Sequence, residues 1–466
     1  MSQTRHDALM ADPRVTEARA LLHAALAEHQ AGLSAVSDAN PDLKPGYDAQ
    51  IAAMGDVRGR GLFFPYLGSG LGHGPYVELG DGSVKLDFIS GIGVHGWGHS
   101  NAAIADAAFD AALQDTIMQG NLQQNAISLD VAQLLVGGAN RWQSSGRLSH
   151  CFLTTTGAMA NENAYKILFQ HKAPANRALA FQGNFSGRTL GMCWVTDKGA
   201  NRVGVPQTLQ TDYVPHYDAE RPEASTRHAL AVLDRLLARY PGQHALMSFE
   251  LVLGEGGYYT GSSDFFRTLM QRCRAAGVAV HVDEVQTFGR TSELFAFQHF
   301  GLDDLVDVVT VGKITQVCAT LFTNDVNPKA GLLSQTFTGA TAALHAAKVI
   351  IEGLRDGEFF GASGRNLKLH DHFVAGLRAL GERHPGWVAG PFGVGAMVGF
   401  TPFGGDGPKN MRLLSQMYDD GLLGFTAGKD PTRMRFLMPL GVVTFTQIDD
   451  ALRILEGSMT KVANAS

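Results

Sequence analysis

The sequence predicts an α/β protein whose larger part is a mostly parallel sheet flanked by helices. Two observations carry this. From about residue 100 to 345, the short apolar runs CFLTTT, ALAFQG, ALMSFELV, VAVHVDEV and DVVTVG alternate with helical stretches, the pattern of a helix-covered parallel sheet. The chain also has 466 residues and 55 glycines, which is too long for one ordinary core and suits many strand–loop–helix junctions. A large domain is expected over 76–345. A small α+β domain is expected from 346–466 together with an N-terminal helix and crossing segment over 1–75.

In chain order, residues 14–37 have helical periodicity, with Val15, Ala18, Leu21, Leu22 and Ala25 on one side. Residues 45–75 are rich in Gly, Pro and aromatics and read as an irregular crossing segment. PYVELGDGSVKLDF (75–88) reads as a hairpin turning at Asp81-Gly82. After the strand-rich region a helix is expected over 340–354, then helices with shorter strands at AMVGFTPF and MRFLMPL.

Composition excludes several function classes. A net charge of −6 argues against nucleic acid or an anionic membrane surface as partner. The four cysteines (Cys151, Cys193, Cys273, Cys318) have no CxxC spacing, so neither a metal site nor a disulfide framework is indicated. The first thirty residues are charged throughout, and no run approaches eighteen apolar residues. No signal peptide and no membrane helix are therefore expected, and a reducing cytoplasm fits.

The chemistry begins with two strand ends. VAVHVDEVQ (278–286) carries Asp283 at its end, and VDVVTVGK (306–313) ends in Lys313. Buried parallel strands deliver both to the carboxyl-end rim of a sheet, where open α/β folds bind ligands. An amine beside an acid is what pyridoxal phosphate requires: a lysine for the Schiff base and a carboxylate for the pyridine nitrogen. Taken singly, each has a plain reading as a strand-end lysine and a helix cap; the pair favours the cofactor.

Other segments leave two readings open. CFLTTTGAMANENAYK (151–166) is a strand, a small-residue turn and a helix with Ala160, Ala164, Ile167 and Leu168 on one face. Gly157 and Ala158 would open that helix as an anion cup, or simply make a turn. In QGNFSGRTLG (182–191), Phe185 could stack on a planar ring and Arg188 could fork onto a carboxylate, or the loop is a packed surface loop. FELVLGEGG (249–257) offers Glu250 and Glu255 as site acids or solvated loop acids. Arg435, inside the apolar MRFLMPL, calls for a buried anionic partner unless it snorkels to solvent. GIGVHG (91–96) matches GxGxxG literally, but AALQDTIMQG stands where a ribose-binding acid would be expected; it reads as helical, with Asp115 inside.

In this order, LDFISGIGVHGWGH, TTGAMANENAYK, NFSGRTLG, ELVLGEGG, HVDEVQTFGRTSELFAFQHFG, TVGK, SQTFTGAT and MRFLMPL resemble the class III (ω-amino) aminotransferases of the type I pyridoxal-phosphate fold. The resemblance spans about residues 75–450. It implies Lys313 as Schiff-base lysine and proton carrier, and Asp283 as partner of the pyridinium nitrogen. It further implies Gln286 at the ring hydroxyl, Val285 and Phe185 on the two ring faces, and Thr156, Gly157 and Ala158 around the phosphate. Glu250 is counted with the cofactor-binding residues. Thr336 would reach the phosphate of a neighbouring subunit, which implies a homodimer with shared sites. Arg435 and Arg188 resemble the two carboxylate-gripping arginines, and Glu255 the acid that pairs with the first of them for ω-amine donors.

The resemblance also implies transfer of a terminal amine to 2-oxoglutarate, giving an aldehyde and glutamate. GKITQVCATLF (312–322) resembles a run of lysine 6-aminotransferases and points to a lysine- or ornithine-like donor. The chain departs from the family pattern at Ser186, Leu251, Leu253 and Ala340, and lacks one glycine before FGRT. Another pyridoxal-phosphate reaction on this scaffold, an aminomutase or a decarboxylase, is the nearest rival. A non-catalytic member would be expected to lose Lys313, Asp283 or the phosphate cup.

Overall fold

The structure, a computed structural model, describes residues 3–115, 120 and 122–465. The chain divides into two compact units, one comprising Met1–Asp115, Leu369–Pro391 and Val398–Ser466, the other Thr116–Lys368 and Phe392–Met397.

The second unit holds the predicted strands and helices. In chain order its main elements are α1 (Ala126–Ala139), β1 (Leu148–Thr154), α2 (Gly157–His171), β2 (Arg177–Phe181), β3 (Gln210–Val214), α3 (Pro222–Arg239), β4 (His244–Phe249), α4 (Ser263–Ala275), β5 (Ala279–Glu284), β6 (Val308–Val311), β7 (Cys318–Thr323) and α5 (Thr341–Asp356). The seven strands form one sheet in the order β1-β7-β6-β5-β4-β2-β3. Pairing is parallel from β6 through β5, β4 and β2 to β3. Only β7 runs antiparallel, against both β6 and β1.

All five strands read from the sequence are present. The two that were not read, QTDYV (β3) and CATLFT (β7), have physical reasons to hide. β3 is an edge strand, exposed or half-buried at all but its last residue, so it lacks an apolar run. β7 follows Lys313 by a turn of only a few residues, too short for a helical crossover, and so must return antiparallel.

The predicted face of α2 is buried completely at Ala160, Ala164, Ile167 and Leu168. It packs on Ala178, Ala180, Ala245, Leu246, Ala279 and Val308 of the sheet. Small residues on the strands let the helix lie close, which matters because α2 also supplies the site.

The first unit carries a four-stranded sheet in the order Gly68–His73, Tyr76–Leu79, Val84–Asp87, Leu422–Leu423. The predicted hairpin is the middle pair, with Gly82 at φ 78° in its turn. A second sheet runs Val388–Val394, Met397–Pro402, Arg433–Leu437, Phe425–Ala427.

Three sequence expectations change here. The helix expected over 14–37 spans Pro13–Gln30, and Leu21 and Leu22 on its apolar side are exposed by 67% and 52%. The segment 45–75 is not irregular throughout, because Lys44–Arg58 is a helix. Its Pro45 falls in the first turn, where no intrahelical N–H is needed, and Gly59 ends it at φ 71°. The helix preceding Asp115 ends at Ala112, so Asp115 is not inside it, and residues 116–119 of that run lie outside the described residues. Among the described residues no helix is long and apolar enough to cross a membrane.

Glu284 ties the sheet to the loop beyond it. Its buried carboxyl accepts from Thr287 Oγ1 (2.6 Å), Ala296 N (2.9 Å) and Phe297 N (2.8 Å), the latter two opening the short helix Ala296–His299. Burial pushes its pKa up to about 7. Glu284→Ala strands two buried backbone donors and is expected to cost roughly 2–4 kcal/mol, read as a lowered urea or thermal midpoint.

Candidate active site

The pairing of β5 with β6 sets Asp283 opposite Thr310 and Glu284 opposite Val311. Asp283 is therefore the penultimate residue of one strand, while Lys313 lies two residues beyond the end of its neighbour. The chain leaves β6 through Gly312, whose extended backbone admits Cys318: a Cβ there would stand 2.8 Å from Cys318 Sγ. Lys313 then takes a left-handed backbone (φ 55°) at the head of a single turn, Lys313–Thr315. Such a conformation costs a non-glycine residue about 1–2 kcal/mol.

Asp283 is 5% exposed. Its Oδ1 accepts from Val285 N (3.0 Å) and its Oδ2 from Asn161 Nδ2 (2.7 Å). Burial raises its pKa, while these two donors and the Lys313 charge oppose the rise. Asn161 comes from the second turn of α2, and also donates to the Ser186 carbonyl (2.9 Å).

A cavity of about 240 Å³ opens above these groups. Its walls include Gly157, Ala158, Phe185, Glu250, Glu255, Asp283, Val285, Gln286 and Lys313. Nine predicted residues are thus brought together around one space. Thr156 caps α2, its hydroxyl accepting from Met159 N (3.2 Å), and leaves the first amides of the helix to face outward. Gly157 has to be a glycine: a Cβ would stand 2.7 Å from Val285 Cγ1.

Glu250, just past β4, accepts from Phe185 N (3.0 Å) and Gly254 N (2.7 Å). It thereby holds the Phe185 loop and the glycine loop together. Burial, with the nearby Asp283 charge, pushes its pKa up to about 8.

Three predicted residues are not among the walls of this cavity. Arg188 is exposed, its guanidinium 5.6 Å from the centre of the Phe185 ring. Thr336 is exposed on the loop before α5, its backbone close to Gly120. Arg435 belongs to the first unit, fully buried in strand Arg433–Leu437 with its guanidinium 5.6 Å from the Phe425 ring. Of the departures from the family pattern, Ser186 lines the cavity, whereas Leu251 and Leu253 are buried and absent from its walls.

The residues present fit pyridoxal phosphate. Gln286 Oε1 is buried and has no hydrogen-bond partner among the described residues, an acceptor suited to a hydroxyl. Gly254 lies against it so closely that a Cβ would sit 2.3 Å away. An amine, a carboxylate, an aromatic ring, a valine and a helix N-terminus converge on one cavity, which matches a planar, phosphorylated pyridine. Sequence reasoning missed Asn161, His281, Thr310 and Ser248. The latter three were visible as single polar letters inside apolar strand runs.

Glu250 makes stability depend on pH. With a folded pKa of about 8 and an unfolded value near 4.5, the folded chain holds the extra proton between them. Its contribution is complete below about pH 4.5 and is lost as pH rises through about 8. Glu250→Gln is expected to flatten that decline by up to roughly 1.4 kcal/mol per pH unit, measured as thermal midpoints of the cofactor-free protein from pH 5 to 8.

The family model described as "Aminotransferase class-III" matches residues 70–459. The acetylornithine aminotransferase of Listeria innocua is 28% identical over 406 residues, covering 84% of this chain and 94% of that protein. That of Bacillus subtilis is 29% identical over 392 residues, covering 82% and 92%. A lysine aminotransferase from M. tuberculosis superposes with TM-score 0.78 at 22% identity, covering 88% of this chain and 99% of that one. An ornithine aminotransferase from Toxoplasma gondii gives 0.77 at 21% identity, covering 90% and 96%. With a family match over most of its length and the type I fold of these enzymes, the chain belongs to the class III aminotransferases, which are pyridoxal-phosphate-dependent transaminases.

Proposed function

We propose that the protein transfers the terminal amine of a lysine- or ornithine-like donor to 2-oxoglutarate, giving an aldehyde and glutamate. The observation that carries the proposal is the convergence of Lys313, Asp283 and Gln286 on one cavity. Bound pyridoxal phosphate supplies an electron sink that makes the carbon bearing the amine acidic. Asp283 holds a proton on the pyridine nitrogen, Gln286 meets the ring hydroxyl, and Phe185 and Val285 confine the ring between them. The opening amides of α2 at Gly157 and Ala158, below Thr156, take the phosphate. Lys313 Nζ would take up the proton from the substrate carbon and hold it for return, as a positioned base must.

The donor class draws support from the names of the relatives, acetylornithine and lysine aminotransferases, and from Glu255 in the cavity wall. Arg188 and Arg435 are assigned to substrate carboxylates on their resemblance to the family arginines, with Glu255 as the acid that pairs with Arg435 when an ω-amine is bound. Exposed Thr336 is assigned to the phosphate of a partner copy, so the working enzyme is a homodimer. Four free cysteines suit a reducing cytoplasm.

Lys313→Ala is expected to lower turnover by at least about 10²–10⁴-fold and to abolish the visible absorption of a lysine-bound cofactor. Unchanged turnover would sink the mechanism. Lysine, ornithine, N-acetylornithine, 4-aminobutyrate and glutamate added singly to the holoenzyme identify the donor. Loss of the visible band with one ω-amine and with glutamate supports the pair; a band that only decarboxylation products follow favours the rival reaction.

A further inference from the structure

Beneath the cavity a single file of buried polar side chains crosses three strands and ends on Asp283. Ser248 Oγ lies 2.9 Å from His281 Nδ1, and His281 Nε2 lies 3.1 Å from Thr310 Oγ1. Thr310 Oγ1 is 2.7 Å from Asn161 Oδ1, and Asn161 Nδ2 is 2.7 Å from Asp283 Oδ2. Ser248, His281 and Thr310 are fully buried and Asn161 is 1% exposed. Strand register produces the file, since Ser248 stands opposite His281 and Thr310 opposite Asp283.

The direction of every bond follows from one atom. Asn161 Nδ2 also lies 2.9 Å from the Ser186 carbonyl, which can only accept, so the amide cannot be turned over. Its oxygen therefore faces Thr310 and takes the one hydroxyl proton there. Thr310 Oγ1 has only lone pairs left for His281, so Nε2 carries the ring proton. Nδ1 is bare and accepts from Ser248. Burial depresses the His281 pKa to about 3, so the ring stays neutral and has no second proton to disturb this order.

We propose that Ser248, His281 and Thr310 are positioning residues that act through Asn161. Their donors point one way, hold the Asp283 carboxylate ionised and aimed, and so keep the shared proton on the cofactor nitrogen rather than on Asp283. Aligned hydrogen bonds polarise one another in the same sense, and the effect is larger in a dry interior. The file works against burial, which favours the protonated acid, and alongside Lys313, which favours the anion. Glu250, which lines the cavity together with Glu255, and Glu284, next along β5, are both pushed towards their protonated forms by burial and by the Asp283 charge. A donor file offsets that pressure at the one carboxylate that has to stay charged. The inference rests on the reading of Asp283 as the pyridinium partner.

The test is nitrogen NMR on the full-length protein, in two parts. In ring-¹⁵N-histidine protein without cofactor, His281 is expected as the neutral Nε2–H form from pH 6 to 8. A charged ring or the Nδ1–H form would overturn the file whatever Asp283 does. In holoenzyme carrying ¹⁵N-pyridine-labelled pyridoxal phosphate, Thr310→Val is expected to move the ring nitrogen towards its unprotonated resonance. It should also weaken cofactor binding, because a carboxylate less firmly held as the anion grips the protonated ring less. Thr310→Ser, which keeps the hydroxyl, should restore both. An unchanged nitrogen resonance in Thr310→Val overturns the proposal. Should that variant not fold, Ser248→Ala removes only the first donor, and a smaller shift of the same sign is expected; no shift overturns it. Asp283→Asn with an unchanged nitrogen resonance would instead remove the reading of Asp283, leaving the histidine result standing separately.

Discussion

A carboxyl group held in a dry place is the constraint around which the second unit is built. Asp283 lies one residue from the end of a strand buried on both faces, where an unpaired anion is prohibitively costly. Its donors come from separate parts of the chain: its own following amide at Val285, and Asn161 from α2, which Thr310 on the adjoining strand holds in place. α2 must therefore lie very close to the strand ends. The small residues beneath it and the missing Cβ of Gly157 make that approach possible. The same closeness brings the helix N-terminus over the cavity, so one packing decision serves both the acid and the cavity wall.

The lysine side is governed by chain reversal. β6 is followed by a strand running the opposite way, and the turn between them spans only Gly312 to Val317. Lys313 and Gln316 take left-handed backbones there, and Gly312 makes room for Cys318 Sγ. A strained turn at a strand end points a long side chain away from the ladder and over the sheet rim. The strain is modest beside the sheet and helix packing that enforces it.

Glu250 is a second buried acid with a different task. Paired to two amides from two loops and raised to about 8, it is mostly protonated near neutrality. Its two backbone donors and the Lys313 charge oppose that rise, which burial and the Asp283 charge cause.

The strands around Asp283 and Lys313, the apolar face of α2 and the hairpin at Asp81-Gly82 follow from local pattern. Apolar runs, helical spacing and turn residues act over a few positions and need no knowledge of neighbours. The helix Lys44–Arg58 escaped that reading because its Pro and Gly mark its ends, not a loop. The Ser248–His281–Thr310 file escaped it for a deeper reason. Each residue is visible as a polar letter in an apolar run, yet nothing local says which strands adjoin or in what register. A slip of one residue would turn every side chain of a strand to the other face. Local chemistry thus sets which side chains are available and what charge or proton each can carry. Long-range pairing alone decides which of them touch, because contacts between residues tens to more than a hundred positions apart exist only once the sheet is assembled.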